Sequence, residues 1–142
     1  MNDLEKAKEI LEKGNYTCVI CRGDTVYTSV QRGVAPILDL IENKTNVCGF
    51  SVADKVIGKA AAMLFSLAGV KEIFTDVISI PAKDYLKKQG ITVSYNKLTE
   101  KIINRTGDGL CPMESLVMNI NDEIEAFHAI SEKLRALRKE KE

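Results

Sequence analysis

"KEIFTDVISIPAKDYLKKQGITVSY", residues 71–95, decides the fold. Residues 71–80 are apolar and rich in β-branched side chains, as an interior strand requires. Pro81 then opens a helical segment, AKDYLKKQ, and Gly90 closes it before ITVSY (91–95) resumes strand character. A strand, a helix and a second strand joined this tightly imply a right-handed parallel crossover, so the chain reads as α/β.

Upstream, "SVADKVIGKAAAMLFSLAG" (51–69) carries Val56, Ile57, Ala60, Met63, Leu64 and Leu67 at helical spacing. This spacing predicts a helix from about Asp54 to Leu67, capped by Asp54 and ended by Gly69, and its many alanines permit close approach to a sheet. Residues 47–52 read as a strand or buried loop leading into it. Nearer the N-terminus, YTCVICR, Gly23-Asp24 and TVYTSV read as a hairpin. Before it, Asp3 caps a helix with Leu4, Ala7, Ile10 and Leu11 on one face and Gly14 as its stop. Residues 33–43 form a short helix with Pro36 in its first turn.

Downstream, 97–105 (KLTEKIINR) reads as a short helix and TGDGL as a flexible link. Cys111-Pro112 starts another short helix, and a long final one follows, with Ile120, Ile124, Phe127, Ile130, Leu134 and Leu137 in one stripe. With no repeat, linker or low-complexity segment, the expectation is one domain over residues 1–142, frayed from about 138. Its architecture is three-layered, with helices on both faces of a mixed sheet, a hairpin at one edge and parallel strands beyond.

The charge balance narrows the partners. Twenty Lys plus Arg offset twenty Asp plus Glu, so no global field attracts nucleic acid or anionic lipid. Aromatics make up 6% and Trp is absent, which leaves no stacking platform for bases. The charged N-terminus is unlike a signal peptide and no apolar run is long enough for a membrane span, so a cytoplasmic location with reduced thiols is expected.

Four positions attract chemical attention. Cys18 and Cys21 match half of a redox or zinc motif, but three residues along a strand point to opposite faces, which favours two buried thiols. His128, the single histidine, lies at the margin of the last helix's stripe and reads as structural. Cys111 falls at a helix N-cap with Pro112 at N1 and Glu114 at N3, where unpaired amides favour an anion and activate a thiol. That makes Cys111 a candidate nucleophile and Glu114 a candidate acid/base, against the plain alternative of a cap and a dipole complement. Asp54, Lys55 and Lys59 read either as a cap with an exposed stripe or as a pocket floor facing a ligand.

The order of elements resembles the cytidine deaminase-like fold. In that superfamily zinc sits between two helix starts, one carrying His/Cys-Ala-Glu and the other Pro-Cys-x-x-Cys. The matching positions here are Val52-Ala53-Asp54 and Pro81-Ala82-Lys83-Asp84-Tyr85. Val52, Ala82 and Tyr85 replace the zinc ligands, so the resemblance implies no metal, no other cofactor and no zinc-dependent deamination. Within the superfamily, "ADKVIGKAAA" and "LCPME" resemble a small prokaryotic family that is a domain of unknown function. That resemblance points to Asp54, Lys55, Lys59, Cys111 and Glu114 as ligand-binding or catalytic positions in a retained pocket, and it implies a homodimer. Three functions follow as expectations. One is binding of a nucleotide-like or other small anionic ligand. Another is metal-independent catalysis with Cys111 as nucleophile and Glu114 or Asp54 as acid/base. The last is a structural or interaction subunit.

Overall fold

The computed structural model describes residues 1–103, 107 and 109–140, apart from the side chain of residue 140. Its elements are α1 (Asp3–Gly14), β1 (Cys18–Arg22), β2 (Thr25–Ser29), α2 (Ala35–Glu42), β3 (Ser51–Ile57), α3 (Lys59–Ala68), β4 (Glu72–Ser79), α4 (Ile80–Lys88), β5 (Thr92–Thr99), α5 (Pro112–Val117) and α6 (Glu123–Glu140). The five strands form one mixed sheet in the order β2-β1-β3-β4-β5. The β1–β2 hairpin turns at Gly23-Asp24, and β1 joins β3 antiparallel. β3, β4 and β5 run parallel, linked by the two crossover helices α3 and α4. The mixed α/β architecture read from the sequence is the one observed.

α1 covers one face of the sheet, burying Ala7 and Leu11 against Val19, Cys21, Ala53 and Phe74. The remaining helices gather on the other face around α3. Ala60 through Phe65 are all buried, the pattern of a helix that is apolar all round because its neighbours enclose it. Small side chains allow this: α6 lays Ala126 and Ile130, both fully buried, into the core that α3 shares. The two thiols of β1 part as expected, Cys18 into this core and Cys21 into the layer beneath α1.

The largest departure from the sequence reading concerns residues 51–57. They form a strand, and the helix begins five residues later than expected, at Lys59 after Gly58. Asp54 is therefore not an N-cap. It sits within β3, opposite Cys18 on one side and Thr75 on the other. The physical reason is the β-branched run Val52, Val56 and Ile57, which favours pleated backbone wherever it can be covered on both sides.

Strict alternation fails within β3 and β4 at the same level. Val52 and Ile57 enter one core together, as do Ile73 and Ile78, although an odd step separates each pair. The phase slips once in each strand, which turns Val56 outward to 42% exposure. Asp54 and Thr75, paired across the strands, sit at this slip and bond to main chain just downstream. The Lys55 amide donates to Asp54 Oδ1 at 2.7 Å, and Thr75 Oγ1 donates to the Val77 carbonyl at 3.0 Å.

Other corrections are smaller. The N-cap of α1 is Asn2, whose Oδ1 accepts from the Glu5 amide at 2.8 Å; Asp3 instead accepts from Gly23 in the hairpin turn. α1 stops at Asn15, in the left-handed region at φ 56°, one residue past Gly14. β5 continues to Thr99, so no helix covers 97–99, and Ile103 forms a β-bridge with Leu110. Within the expected 97–105 helix and the TGDGL link, residues 104–106 and 108 lie outside the described residues. α6 is described to Glu140, and residues 141–142 of the expected frayed end lie outside the described residues. In α6, Ile124 is 60% exposed and Ala126 takes its place in the buried stripe. Asp122 caps that helix through the Ile124 and Glu125 amides.

Candidate functional site

A pocket of about 500 Å³ opens at the C-terminal ends of β4 and β5, where α3 and α4 begin. Open parallel sheets place their ligand sites at this end, because helix starts and loops converge there. Lys59 and Glu114 line it from one side. Ser79, Pro81, Tyr85 and Lys88 line it from the β4–α4 side, and Glu100, Lys101 and Ile102 from the segment after β5. Leu110, Met118 and Asn121 complete the wall.

Each polar group is placed by its element. Ser79 ends β4 and caps α4, its Oγ accepting from the Ala82 amide at 3.2 Å. Glu114 occupies the third position of α5, yet it does not turn back to close a capping box. The Cys111 amide that such a box would use donates instead to the Ile102 carbonyl at 2.9 Å. The Glu114 carboxylate reaches across to the start of α3, accepting from the Lys59 amide at Oε1 (2.6 Å) and the Ala60 amide at Oε2 (2.9 Å). These are two of the amides a helix leaves unpaired at its N-terminus. Burial raises the Glu114 pKa above the usual carboxylate range, and the two amides and the Lys59 charge act against it.

Gly58 makes this contact feasible. A Cβ there would lie 2.2, 2.5 and 2.8 Å from the three carboxylate atoms of Glu114. The backbone of Gly58 is extended, at φ −102°, which any residue adopts, so the requirement is for space alone. The Lys59 side chain runs in the opposite sense, and its Nζ donates to the Val117 and Met118 carbonyls at the end of α5 at 3.0 and 3.3 Å. α5 is thus tied to α3 at both of its ends.

Tyr85 lies beneath this arrangement. It is 9% exposed, and its hydroxyl is buried beside Ser66 and Glu123. Burial, and then the charge of Glu123, push its pKa up to about 12. Glu123 Oε1 accepts from Ser66 Oγ at 3.0 Å, and the Tyr85 hydroxyl lies against the same two side chains.

Of the residues singled out in the sequence, the structure brings Lys59 and Glu114 together in the pocket. It does not bring Asp54, Lys55 or Cys111 there. Asp54 is 6% exposed within the sheet, and burial pushes its pKa up to about 7 against the opposing effect of the Lys55 and Val56 amides and the Cys18 thiol. The same burial, with Asp54 beside it, holds the Cys18 thiol well above its usual range. Lys55 lies on the far face, 3.6 Å from Asp76, which also accepts from Asn96 at 2.9 Å. Cys111 caps α5 outside the pocket lining. His128 is exposed on α6, its ring tilted against Phe127. The expected match of Val52-Ala53-Asp54 to a metal-bearing helix start fails on position, because all three lie in β3. Among the described residues no three His, Cys, Asp or Glu side chains group as metal ligands. No helix of these residues is long and apolar enough to cross a membrane.

The five-stranded sheet and its crossover helices define a mixed α/β domain. Among solved structures it is similar to a dCMP deaminase from the cyanophage S-TIM5, with 10% identity over 68% of this chain and 94% of that one and a TM-score of 0.46. It is also similar to a diaminohydroxyphosphoribosylaminopyrimidine deaminase/5-amino-6-(5-phosphoribosylamino)uracil reductase from Thermotoga maritima, with 13% identity over 66% and 35% of the chains and a TM-score of 0.41. The family itself is narrower. Residues 6–134 match TM1506, a domain of unknown function (DUF1893), and the chain belongs to that family. A crystal structure of a DUF1893 protein from Thermotoga maritima shares 29% identity over 92% of this chain and 89% of that one, with a TM-score of 0.85. No curated protein matches the chain.

Gly58, Lys88 and Lys101 were not singled out in the sequence. Gly58 had a local signal, as a glycine between a β-branched run and an alanine run; the two lysines had none.

Proposed function

We propose that this domain binds a small anionic, nucleotide-like ligand in the pocket at the ends of β4 and β5. The observation that carries the reading is the chemistry of the pocket's wall. Lys88 and Lys101 line it, and no carboxylate among the described residues pairs with either. The rest of the wall mixes apolar Pro81, Ile102, Leu110 and Met118 with polar Lys59, Ser79, Tyr85, Glu100, Glu114 and Asn121. A flat apolar body with a phosphate at its edge suits such a wall, the phosphate meeting the two ammonium groups as point charges. The volume suits one nucleoside monophosphate and little more.

Zinc-dependent deamination is not part of this reading. The side chains at the two helix starts, Lys59, Ala60, Pro81 and Ala82, include no thiolate or imidazole to hold the metal. Catalysis by Cys111 with Glu114 or Asp54 lacks comparable support, since Cys111 lies outside the pocket lining and Asp54 lies inside the sheet.

Thermal shift and calorimetry with cytidine and adenosine 5′-monophosphate test the reading. A ligand that binds only the folded state raises Tm by an amount that grows with the logarithm of one plus its concentration over Kd. At least one nucleotide is expected to do so, and the Lys88→Ala/Lys101→Ala variant is expected to lose the effect. No shift with either nucleotide, or an equal shift in the double variant, would remove the reading.

A further inference from the structure

We propose that the α2–α6 side of the molecule is a self-association surface: a second copy of the chain seats its exposed Ile124 in the cleft between α2 and α6, and receives the first copy's Ile124 in its own cleft. This surface shares no residue with the wall of the ligand pocket at the ends of β4 and β5.

The cleft has a volume of about 230 Å³. Leu38 of α2, buried, and Leu134 of α6, half-buried, give it an apolar base, and Arg135, Arg138 and Lys139 line its α6 side. Two of these cations have partners on α2. Arg135 lies 3.9 Å from Glu42 and Arg138 lies 3.8 Å from Asp39, while Glu42 also accepts from Ser131 Oγ at 3.1 Å. Lys139 has no carboxylate partner among the described residues. The cleft therefore combines an apolar base with one positive charge left unpaired.

Its complement lies on the same helix, about three turns earlier. Ile124 is a large aliphatic side chain left 60% exposed. It stands between Glu123 and Glu125, and the Glu125 carboxylate has no cation partner among the described residues. Ser131, Arg135 and Arg138 follow Ile124 by 7, 11 and 14 residues, spacings that return to one side of a helix. Isoleucine and cleft thus face the same way at opposite ends of α6.

An antiparallel pair of helices uses such a layout. With a two-fold axis near Ser131, the acidic start of each α6 lies over the basic end of the other. Ile124 then enters the second copy's cleft, and Glu125 meets the second copy's Lys139. The patch is its own complement, so the contact closes on two copies. The helix macrodipole accounts for acids in the first turn and bases in the last. It does not account for an exposed isoleucine aligned with a cleft. One helix and one cleft per copy make an interface smaller than the ~800 Å² per partner of stable complexes, so the association is reversible.

Sedimentation equilibrium of the full chain, from micromolar to millimolar concentration, tests the surface. The wild type is expected to rise from one chain mass towards two. Ile124→Ser, which acts twice across the axis, should weaken the dimer by at least about tenfold. Glu125→Lys and Lys139→Glu should each weaken it by about fivefold, since each turns two attractive pairs into repulsive ones. All three side chains are exposed, and circular dichroism checks that the variants fold. The charge-swapped Glu125→Lys/Lys139→Glu restores opposite charges across the axis and should recover the wild-type Kd to within about twofold. If the two charges serve only their own helix, that double variant sets both helix ends against the macrodipole and regains nothing. Should it fail to fold, Ile124→Ser decides alone. One chain mass at every concentration, a dimer indifferent to Ile124→Ser, or a folded double variant no better than the single ones would each overturn the proposal.

Discussion

Asp54 and Glu114 are both acidic, both shielded from water, and both held with a raised pKa by burial. Their surroundings differ in one respect. Asp54 bonds within the sheet, to the amide of the next residue and beside the thiol of the neighbouring strand, where it stabilises a slip in strand phase. Glu114 crosses from one helix to the open backbone of another, at the edge of a cavity. A shifted carboxyl is therefore no guide to a site by itself. Its relevance depends on whether the groups it satisfies would otherwise face a ligand.

The comparison is broken most severely by pH. Asp54 remains protonated in the folded protein to about pH 7, whereas in the unfolded chain it ionises near its ordinary value of 3.8. Between those values the folded state binds more protons, so stability falls as pH rises from about 4 to about 7 and is flat above. A shift of this size corresponds to roughly 4 kcal/mol across the window. Urea denaturation at several pH values should show that decline, and Asp54→Asn should remove most of it, leaving the smaller contribution of the same sign from Glu114. A wild-type stability that is constant or rises from pH 4 to 7 would contradict the placement of Asp54.

A smaller effect is expected at Gly58. Gly58→Ala puts a methyl group into the Glu114 carboxylate and should cost about 1–3 kcal/mol, as overpacking of a filled volume does. The diagnostic is the coupling: in a Glu114→Ala background the same change should cost little, because the volume has been vacated. Additive costs would mean that Gly58 serves some other purpose. At Lys55, whose ion pair with Asp76 is largely exposed, Lys55→Ala should change stability by no more than about 0.5 kcal/mol and leave nucleotide binding unaltered. A clear loss of ligand affinity would return Lys55 to the site.

Much of the scaffold was legible because its signals are local. Gly23-Asp24 marks the hairpin, Pro81 and Gly90 bracket α4, and the strand character of 71–80 and 91–95 requires a parallel crossover. The β3–α3 boundary was misread because Val56, Ile57, Ala60 and Met63 fall at helical spacing, although Gly58 separates a strand from a helix. Periodicity cannot distinguish a short buried strand joined to a helix from one longer helix. β5 was read too short because Asn96 and Lys97 are polar, which is acceptable in an edge strand. The site was only half legible. Lys59 stood out as a charge on an alanine-rich helix and Glu114 as one near a helix start, but their meeting depends on tertiary packing between segments far apart in the chain.

Gly58 and Glu114 have a consequence for how such a chain can change over generations. They share one volume, and the backbone at 58 would accept any side chain. What forbids a larger residue is therefore not the local conformation but the identity of a residue far along the sequence. A lineage that first shortens position 114 opens position 58 to substitution, whereas the reverse order passes through a clash.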